Sequence, residues 1–364
     1  MTLLFSPASL RGIELPNRIV VSPMCQYTAE NGSANDWHLM HLGQLSMGAG
    51  GLLFTEATHV SPEGRITPGC LGLWSDENEQ ALDRVLSFCR RYGVAKLGIQ
   101  LAHAGRKAST RRPLDGGAPL PPEEGAWTTV APSALPFGDG WHVPKAADEA
   151  DLEKIRGDFV AAARRAARLG IDVAELHMAH GYLMHEFLSP ISNRRGDAYG
   201  GSLENRMRLP LEIFELVREV WPADRPLGVR VSASDWVDGG WSVEETVAFA
   251  RELRERGCDF MDVSSGGNDP RQKIELKPGY QVEFARRVRS EAGLPVMAVG
   301  LITEARQAEA ILAEECADFV ALARGVMDDP RWAWHAAREL GAETEYPAQY
   351  IRAHPKHWPG AGRR

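Results

Sequence analysis

Cysteine is scarce in this 364-residue sequence, and what there is lies scattered. Cys25, Cys70, Cys89, Cys258 and Cys316 are odd in number and no two form a CxxC pair. That pattern argues against a disulfide scaffold and against a structural zinc site. Long apolar runs are also missing: no stretch approaches the length of a membrane span, and the start, Met1-Thr-Leu-Leu-Phe-Ser-Pro, has no basic region followed by an apolar one. Nor is there a block of like charge. The net charge of -8 comes from 41 basic and 49 acidic residues that are interspersed, which speaks against nucleic acid or an anionic membrane as the main partner. The expectation is a cytoplasmic protein. What the chain does have is 44% hydrophobic residues, over a length that can bury one large core or two modest ones.

Short β-branched or apolar runs alternate with longer helical patterns. Strands are expected at Arg18–Ser22, Gly51–Thr58, Lys96–Ala102, Ile171–His177, Pro226–Ser232, Phe260–Ser265, Pro295–Gly300 and Asp318–Ala323. Between them the period predicts helices near Trp37–Met47, Asn78–Tyr92, Glu149–Leu169, Ser202–Val220, Val243–Arg256, Gln281–Glu291, Glu304–Glu314 and Arg331–Leu340. Ser202, Ser242 and Thr303 occupy N-cap positions, and Gly170, Gly257 and Gly293 stand where helices stop. Strict alternation implies a parallel sheet, and eight units imply closure into a (β/α)₈ TIM barrel rather than an open doubly wound sheet. The cluster Gly48-Ala49-Gly50-Gly51 follows a helix and precedes a strand, the reverse of a dinucleotide-binding turn, and reads as a tight turn.

Two segments interrupt the pattern. Gly105 to Ala147, rich in Pro and Gly, is too long for an ordinary βα loop and is expected to cap the barrel mouth. The tail from Glu343 to Arg364 carries Pro, Tyr, Trp and basic residues, and its aromatic content predicts docking rather than fraying. Both are assigned to one domain spanning the whole chain.

Chemistry in such a barrel collects at the C-terminal ends of strands. The first strand ends Ser22-Pro23-Met24-Cys25-Gln26-Tyr27, where a cysteine is ordinarily a small buried hydrophobe. The second ends at Ala57. Gln100 is a polar amide in an apolar third strand, able to serve a ring edge that offers both donor and acceptor, or simply a loop backbone. Arg230 stands between two valines and must meet an anion or several acceptors, either a structural carboxylate or a ligand. Strands seven and eight end at Gly300 and at Ala323-Arg324-Gly325, in the position where barrels hold phosphate on backbone N–H groups.

The fourth strand runs into Glu175-Leu-His177-Met-Ala-His180-Gly-Tyr182. Alternation puts Glu175 and His177 on one face, and Gly181 lets the chain break so that His180 can join them. A divalent metal would need a third ligand that the neighbouring sequence does not plainly offer. Two histidines followed by a tyrosine better suit two donors on one oxygen and a phenol as proton donor.

These residues resemble the old yellow enzyme family of FMN-dependent ene-reductases, in its thermophilic-like, xenobiotic-reductase branch. The resemblance runs from about Leu4 through the last helix. HMAHGYLMHEFLSPISNRRGDAYGGSLENRMR (177–208) is its most specific segment, supported by NRIVVSPMCQY (17–27), IQLAHAGRKA (99–108), PVMAVGLIT (295–303) and ALARGVMDDPRW (321–332). It implies that Ser22, Pro23, Met24 and Cys25 lie along a non-covalently bound FMN, with Cys25 tuning its potential. Ala57 and Gln100 would contact the ring, and Arg230 its pyrimidine edge, where a guanidinium stabilises the reduced cofactor's charge. Gly300, Ala323 and Arg324 would hold the phosphate; relatives often have Gly at the position of Ala323, and a backbone N–H contact survives that change.

The same resemblance makes His177 and His180 hydrogen-bond donors to a substrate oxygen, Tyr182 the proton donor, and Tyr27 part of the substrate pocket. Other branches carry Asn in place of the second histidine. Arg352 and Trp358 in the tail would reach a neighbouring subunit's site in a homodimer or homotetramer. The implied reaction is a ping-pong reduction of activated alkenes by NADPH or NADH. A dienoyl-CoA reductase-like member would add an iron–sulfur cluster, for which no cysteine cluster follows the barrel. A Schiff-base aldolase would need a strand lysine, absent from Phe260–Ser265 and its neighbours. A non-catalytic flavin sensor is the remaining class, and the His/His/Tyr set stands against it.

Overall fold

Eight short parallel strands close on themselves, each hydrogen-bonded to the next in sequence and the last to the first. In the computed structural model, which describes residues 2–48 and 50–361, they are β1 (Ile19–Val21), β2 (Leu52–His59), β3 (Lys96–Ala102), β4 (Val173–Met178), β5 (Leu227–Ser232), β6 (Met261–Ser264), β7 (Val296–Val299) and β8 (Phe319–Leu322). A helix follows each: α1 (Asp36–Gly48), α2 (Asp76–Tyr92), α3 (Glu149–Arg168), α4 (Leu203–Val220), α5 (Val243–Glu255), α6 (Val282–Ala292), α7 (Ala305–Ala313) and α8 (Trp332–Leu340). This is the (β/α)₈ barrel that the alternation predicts. Among the described residues no helix is long and apolar enough to cross a membrane.

Side chains at alternate positions separate two packed layers. Val20, Leu52, Phe54, Val173, Phe260, Met297 and Phe319 fill the barrel interior as one cluster, while Ile19, Val21, Leu53, Ala174 and Leu176 join the layer under the helices. The large rings fit because glycines face them. A Cβ on Gly98 would lie 2.5 Å from the Phe54 ring, and one on Gly228 2.5 Å from the Phe260 ring. A hairpin of Ala8–Leu10 with Ile13–Leu15 adds Leu10 and Leu15 to this interior cluster. Each fully buried leucine contributes about 1.5–3 kcal/mol. Its three-residue strands are too short for alternation to be read from sequence.

Ser242 caps α5 in a reciprocal box with Glu245, and Ser202 caps α4 through the Asn205 N–H. Thr303 is not a cap: α7 begins one residue later, with Glu304 at the N-cap, because the Thr303 carbonyl accepts from Trp332 Nε1 and its N–H donates to Gln307. The turn at Gly48, Gly50 and Gly51 is a close approach, since a Cβ on Gly50 would meet the Ile19 carbonyl oxygen at 2.6 Å; its Ala49 lies outside the described residues, as do 362–364 of the tail. Two short helices, Leu183–Leu188 and Arg324–Asp328, lie outside the predicted elements; the first follows the turn after β4 and the second begins two residues past β8.

The excursion after β3 has three short 3₁₀ turns and a two-residue parallel pair, Val130–Ala131 with Lys145–Ala146. It brings Ala108 and Trp127 into a small cluster with Cys25, Tyr27, Cys70 and Tyr182. The tail docks on α8: the Tyr346 ring stacks on Trp334 at 4.0 Å, and the Arg331 guanidinium lies 4.7 Å from the Tyr350 ring.

Candidate active site

Val173, Glu175 and His177 alternate into the barrel, and the chain then leaves β4 in a left-handed turn, His180 at φ +61° and Gly181 at φ +71°. Three contacts hold that turn. The His180 N–H donates to Ser232 Oγ at 2.9 Å, the Gly181 N–H donates to His185 Nδ1 at 2.9 Å, and Lys107 Nζ donates to the His180 carbonyl at 2.8 Å. The result is compact: the His177 ring lies 5.1 Å from His180 and 5.0 Å from Tyr182, nearly perpendicular to both.

Hydrogen bonds define the tautomers. His177 Nδ1 accepts from the Ala179 N–H at 3.2 Å, so the proton of the neutral ring sits on Nε2. His180 Nε2 is 2.9 Å from Ser264 Oγ, and Ser264 gives its own proton to the Val231 carbonyl. His180 is therefore the donor in that pair, with Nδ1 bare. Burial, then the Arg230 charge, pushes both imidazoles well below their ordinary range, so both are neutral. Burial pushes the Tyr182 phenol well up, with Cys25, Tyr27 and Cys70 adding, so it keeps its proton. The Lys107 ammonium lies 5.2 Å from the Tyr182 ring, and burial lowers it to about 8.

Beyond β1, Ser22 is buried with its hydroxyl unpartnered, its N–H bonded to the Leu322 carbonyl. Pro23 and Met24 are half-buried and lead to Cys25, beside the Ala57 backbone. Ala57 is positioned by an irregularity in the β2–β3 register between Phe54 and Ala57. Burial, then Glu56 and Cys70, raises Cys25 well above the ordinary thiol range, so it is a thiol and not a thiolate. Tyr27, in a left-handed conformation at φ +57°, touches the Cys25 sulfur and is raised by burial.

Beneath the histidines lies a buried polar layer. Gln100 Nε2 donates to Glu175 Oε1 at 2.7 Å, so its amide bonds a carboxyl and not loop backbone. Arg230 Nε is 3.4 Å from Asp262 Oδ2, a loose contact that leaves Nε without a hydrogen-bond acceptor. Its charge also acts to lower Glu175, which it does not contact. Burial, then the charge of Asp262, raises Glu175, and burial raises Asp262.

Arg230 also lines a cavity of about 220 Å³ with His180, Gly300, Ala323 and Arg324. Sequence reasoning missed Ser264, Ser265, Tyr280, Gln281 and Thr303 on its walls. The serines end β6 and could have been found as the other strand ends were; Tyr280 and Gln281 sit far past a strand and gave no signal. Gly300, at φ +120°, is the close-approach point: a Cβ there would meet Gln281 Nε2 at 2.6 Å. These features fit FMN. Arginine 324 and backbone N–H groups suit a phosphate, the hydroxyls and amide suit a polyol, and the unpartnered Ser22 hydroxyl and Arg230 Nε suit a polar ring. Among the described residues no three His, Cys, Asp or Glu side chains come together as a metal site.

Two candidates stand elsewhere within the chain. Arg352 and Trp358 are exposed on the tail, where Trp358 lines a different cavity with Tyr346, Tyr350, Arg331 and His335. Neither lines the cavity of His180 and Arg324.

Comparison with known proteins gives the family and the fold. The model of the NADH:flavin oxidoreductase / NADH oxidase family matches residues 3–343. An NADPH dehydrogenase from Geobacillus thermodenitrificans (strain NG80-2) is 46% identical over 353 residues, 96% of this chain and 98% of that one. Another NADPH dehydrogenase, from Listeria innocua serovar 6a, is 44% identical over 97% of this chain and 99% of its own. Among solved structures, morphinone reductase in complex with tetrahydroNAD matches with a TM-score of 0.76 at 28% identity, covering 94% of this chain and 92% of that one. A 2-naphthoyl-CoA reductase matches at TM-score 0.83 but 22% identity, and the chain spans 52% of its length; that likeness shows the fold alone.

Proposed function

This chain belongs to the NADH:flavin oxidoreductase / NADH oxidase family, the old yellow enzyme family, and within it we propose an FMN-dependent ene-reductase acting on activated alkenes such as enones, maleimides, nitroalkenes or xenobiotics. The family makes it an NAD(P)H-dependent flavin oxidoreductase. The observation that carries the finer reading is the cluster in which the neutral His180 imidazole and Tyr182 phenol both lie within 5.1 Å of the neutral His177 ring, with Tyr182 packed in one cluster with Cys25 and Tyr27. FMN, when bound, would supply the hydride chemistry between NADPH or NADH and the alkene β-carbon.

The protein's own residues do the rest. His177 carries its proton on Nε2, free of any protein acceptor among the described residues, and donates to the carbonyl or nitro oxygen of the substrate. That draws electron density from the β-carbon and stabilises the enolate-like charge that develops there. His180 completes the clamp when its Nε2–H exchanges Ser264 for the substrate oxygen. Tyr182 gives the proton to the α-carbon, which its raised pKa permits because the acceptor is a developing carbanion. Tyr27 and Trp127 pack with Cys25 and Tyr182 in one partly buried cluster. The ring layer is expected to rest on Ser22 to Cys25, Ala57 and Gln100, with Arg230 at the charged edge and Gly300, Ala323 and Arg324 at the phosphate. In a homodimer or homotetramer, Arg352 and Trp358 are the residues expected to reach the neighbouring site.

Anaerobic titration of the FMN-loaded protein with NADPH and with NADH, followed by cyclohexenone and then a nitroalkene, tests the reading. Bleaching by at least one nicotinamide and recovery of the oxidised spectrum with an alkene is the expected result. No bleaching would leave a flavin-binding sensor; bleaching without recovery by either alkene would remove the ene-reductase assignment.

A further inference from the structure

We propose that Asp235 and His185 are positioning residues for this site, holding the His180–Tyr182 turn through the tautomer of the His185 ring. The inference rests on the ene-reductase reading for its consequence, not for its geometry. Both side chains are fully buried, and neither lines the cavity of Arg324 or the cluster around Cys25.

The argument starts at the Gly181 amide, which can only donate. It donates to His185 Nδ1 at 2.9 Å, so Nδ1 is bare and the proton of a neutral His185 is on Nε2. Nε2 faces Asp235 Oδ1 at 2.9 Å. The contact is too bent to be a well-formed hydrogen bond, but the negative charge of a carboxylate beside Nε2 still favours the proton on that nitrogen. Asp235 is itself fixed. Its Oδ2 accepts from Ser189 Oγ at 2.6 Å and from the Trp241 N–H at 2.9 Å, with Asn268 Nδ2 at 3.3 Å. The carboxylate therefore sets the tautomer, the tautomer accepts the Gly181 N–H, and that bond holds two successive left-handed residues between the two histidines and the tyrosine. Left-handed backbone at a non-glycine residue such as His180 persists only where its surroundings hold it.

Asp235→Asn gives a sharp consequence. The Trp241 N–H must keep an acceptor, so the amide oxygen stays at the Oδ2 place and the NH₂ turns to His185 Nε2. Nε2 then has to accept, the proton moves to Nδ1, and it meets the Gly181 N–H donor to donor. His185→Asn and His185→Gln divide the two contacts. An Asn oxygen stands near the place of Nδ1 and keeps an acceptor for Gly181; a Gln amide reaches the place of Nε2 and keeps the partner of Asp235 only.

Imidazole ¹⁵N shifts of His185 and hydrogen exchange at the Gly181 amide, read on the FMN-free protein, test the geometry. Binding of a para-substituted phenol to the FMN-loaded protein, read by its charge-transfer band beside thermal stability, tests the consequence. The wild type is expected to be Nε2-protonated with a protected Gly181 amide. Asp235→Asn should flip the tautomer, unprotect Gly181 and weaken phenol binding on the order of tenfold or more, the usual size of losing an outer partner that orients a histidine. His185→Asn should retain phenol binding, and His185→Gln should lose it at equal stability. An Nδ1-protonated wild type, or a His185→Gln that binds phenol as tightly as wild type, would overturn the proposal, and the pair would be packing alone. A wild type with the expected tautomer and no phenol band would instead count against the ene-reductase reading.

Discussion

Gly181 and Gly267 meet backbone to backbone: a Cβ on Gly181 would lie 2.2 Å from the Gly267 carbonyl oxygen, and one on Gly267 2.6 Å from the His180 Cα. Lys107 Nζ bridges the same contact, donating to the carbonyls of His180 at 2.8 Å and Gly267 at 2.9 Å. The loops after β4 and β6 are thus locked where the candidate acid and oxygen clamp are presented.

Gly181→Ala should disturb this lock twice, through the clash with Gly267 and through its φ of +71°. A loss of about 1–3 kcal/mol is expected in urea unfolding, the size of a strained backbone position. Phenol binding to the FMN-loaded protein should fall with it.

Replacing His177 and His180 together should abolish phenol charge-transfer bands while FMN stays bound. Loss of FMN instead would make them cofactor residues. Tyr182→Phe should leave the band and the nicotinamide half-reaction intact but slow alkene-driven reoxidation by roughly 10²-fold or more, the scale of a lost general acid. Rapid-mixing spectroscopy separates the two halves.

Arg324→Ala should weaken FMN binding by roughly ten- to a hundredfold, since a hydrogen bond to a charged group is worth about 1.5–3 kcal/mol. Arg324 lines the cavity of Gly300 and Ala323. Fluorescence titration of the FMN-free protein measures the effect, and unchanged affinity would move the phosphate elsewhere.

Stability should fall between pH of about 6.5 and about 8. Burial holds Glu186 up at about 8, and raises Glu175 as well, so the folded state binds more protons than the unfolded one above the ordinary carboxyl range; stability they contribute is lost as pH rises through the folded value. The buried His59, held at about 3, and His41 and His103, at about 4, act oppositely, and their contribution is lost as pH falls from about 6.5. Lys107, lowered to about 8, offsets the decline only above that pH. Glu186→Gln keeps an acceptor for the Arg106 N–H and removes the titration. Its melting temperature should decline less than that of wild type across this window.

Much of this was legible in the chain itself. Eight apolar runs alternating with helical periods predict the barrel, because a parallel sheet buried on both faces needs continuous apolar strands and a crossover helix for each. His177, Arg230 and Arg324 could be picked out because strand ends and charged residues in apolar runs are local features. Tyr280 and Gln281 could not: they sit far past a strand end, and Gln281 joins the site only through a hydrogen bond of 2.7 Å from Ser265 across separate elements. The hairpin Ala8–Leu15 escaped because its strands are shorter than a readable period.

The sequence by itself determined the architecture and which residue types reach the barrel mouth, since periodicity and strand order follow from local chemistry. Only the tertiary structure decided the protonation states and partners of those residues. The Ser264 bond of His180, the Arg230–Asp262 contact, and the His185 link between Asp235 and Gly181 each join residues from different strand ends. A hydrogen bond or a buried charge depends on distance and desolvation, and these exist only once the barrel has closed.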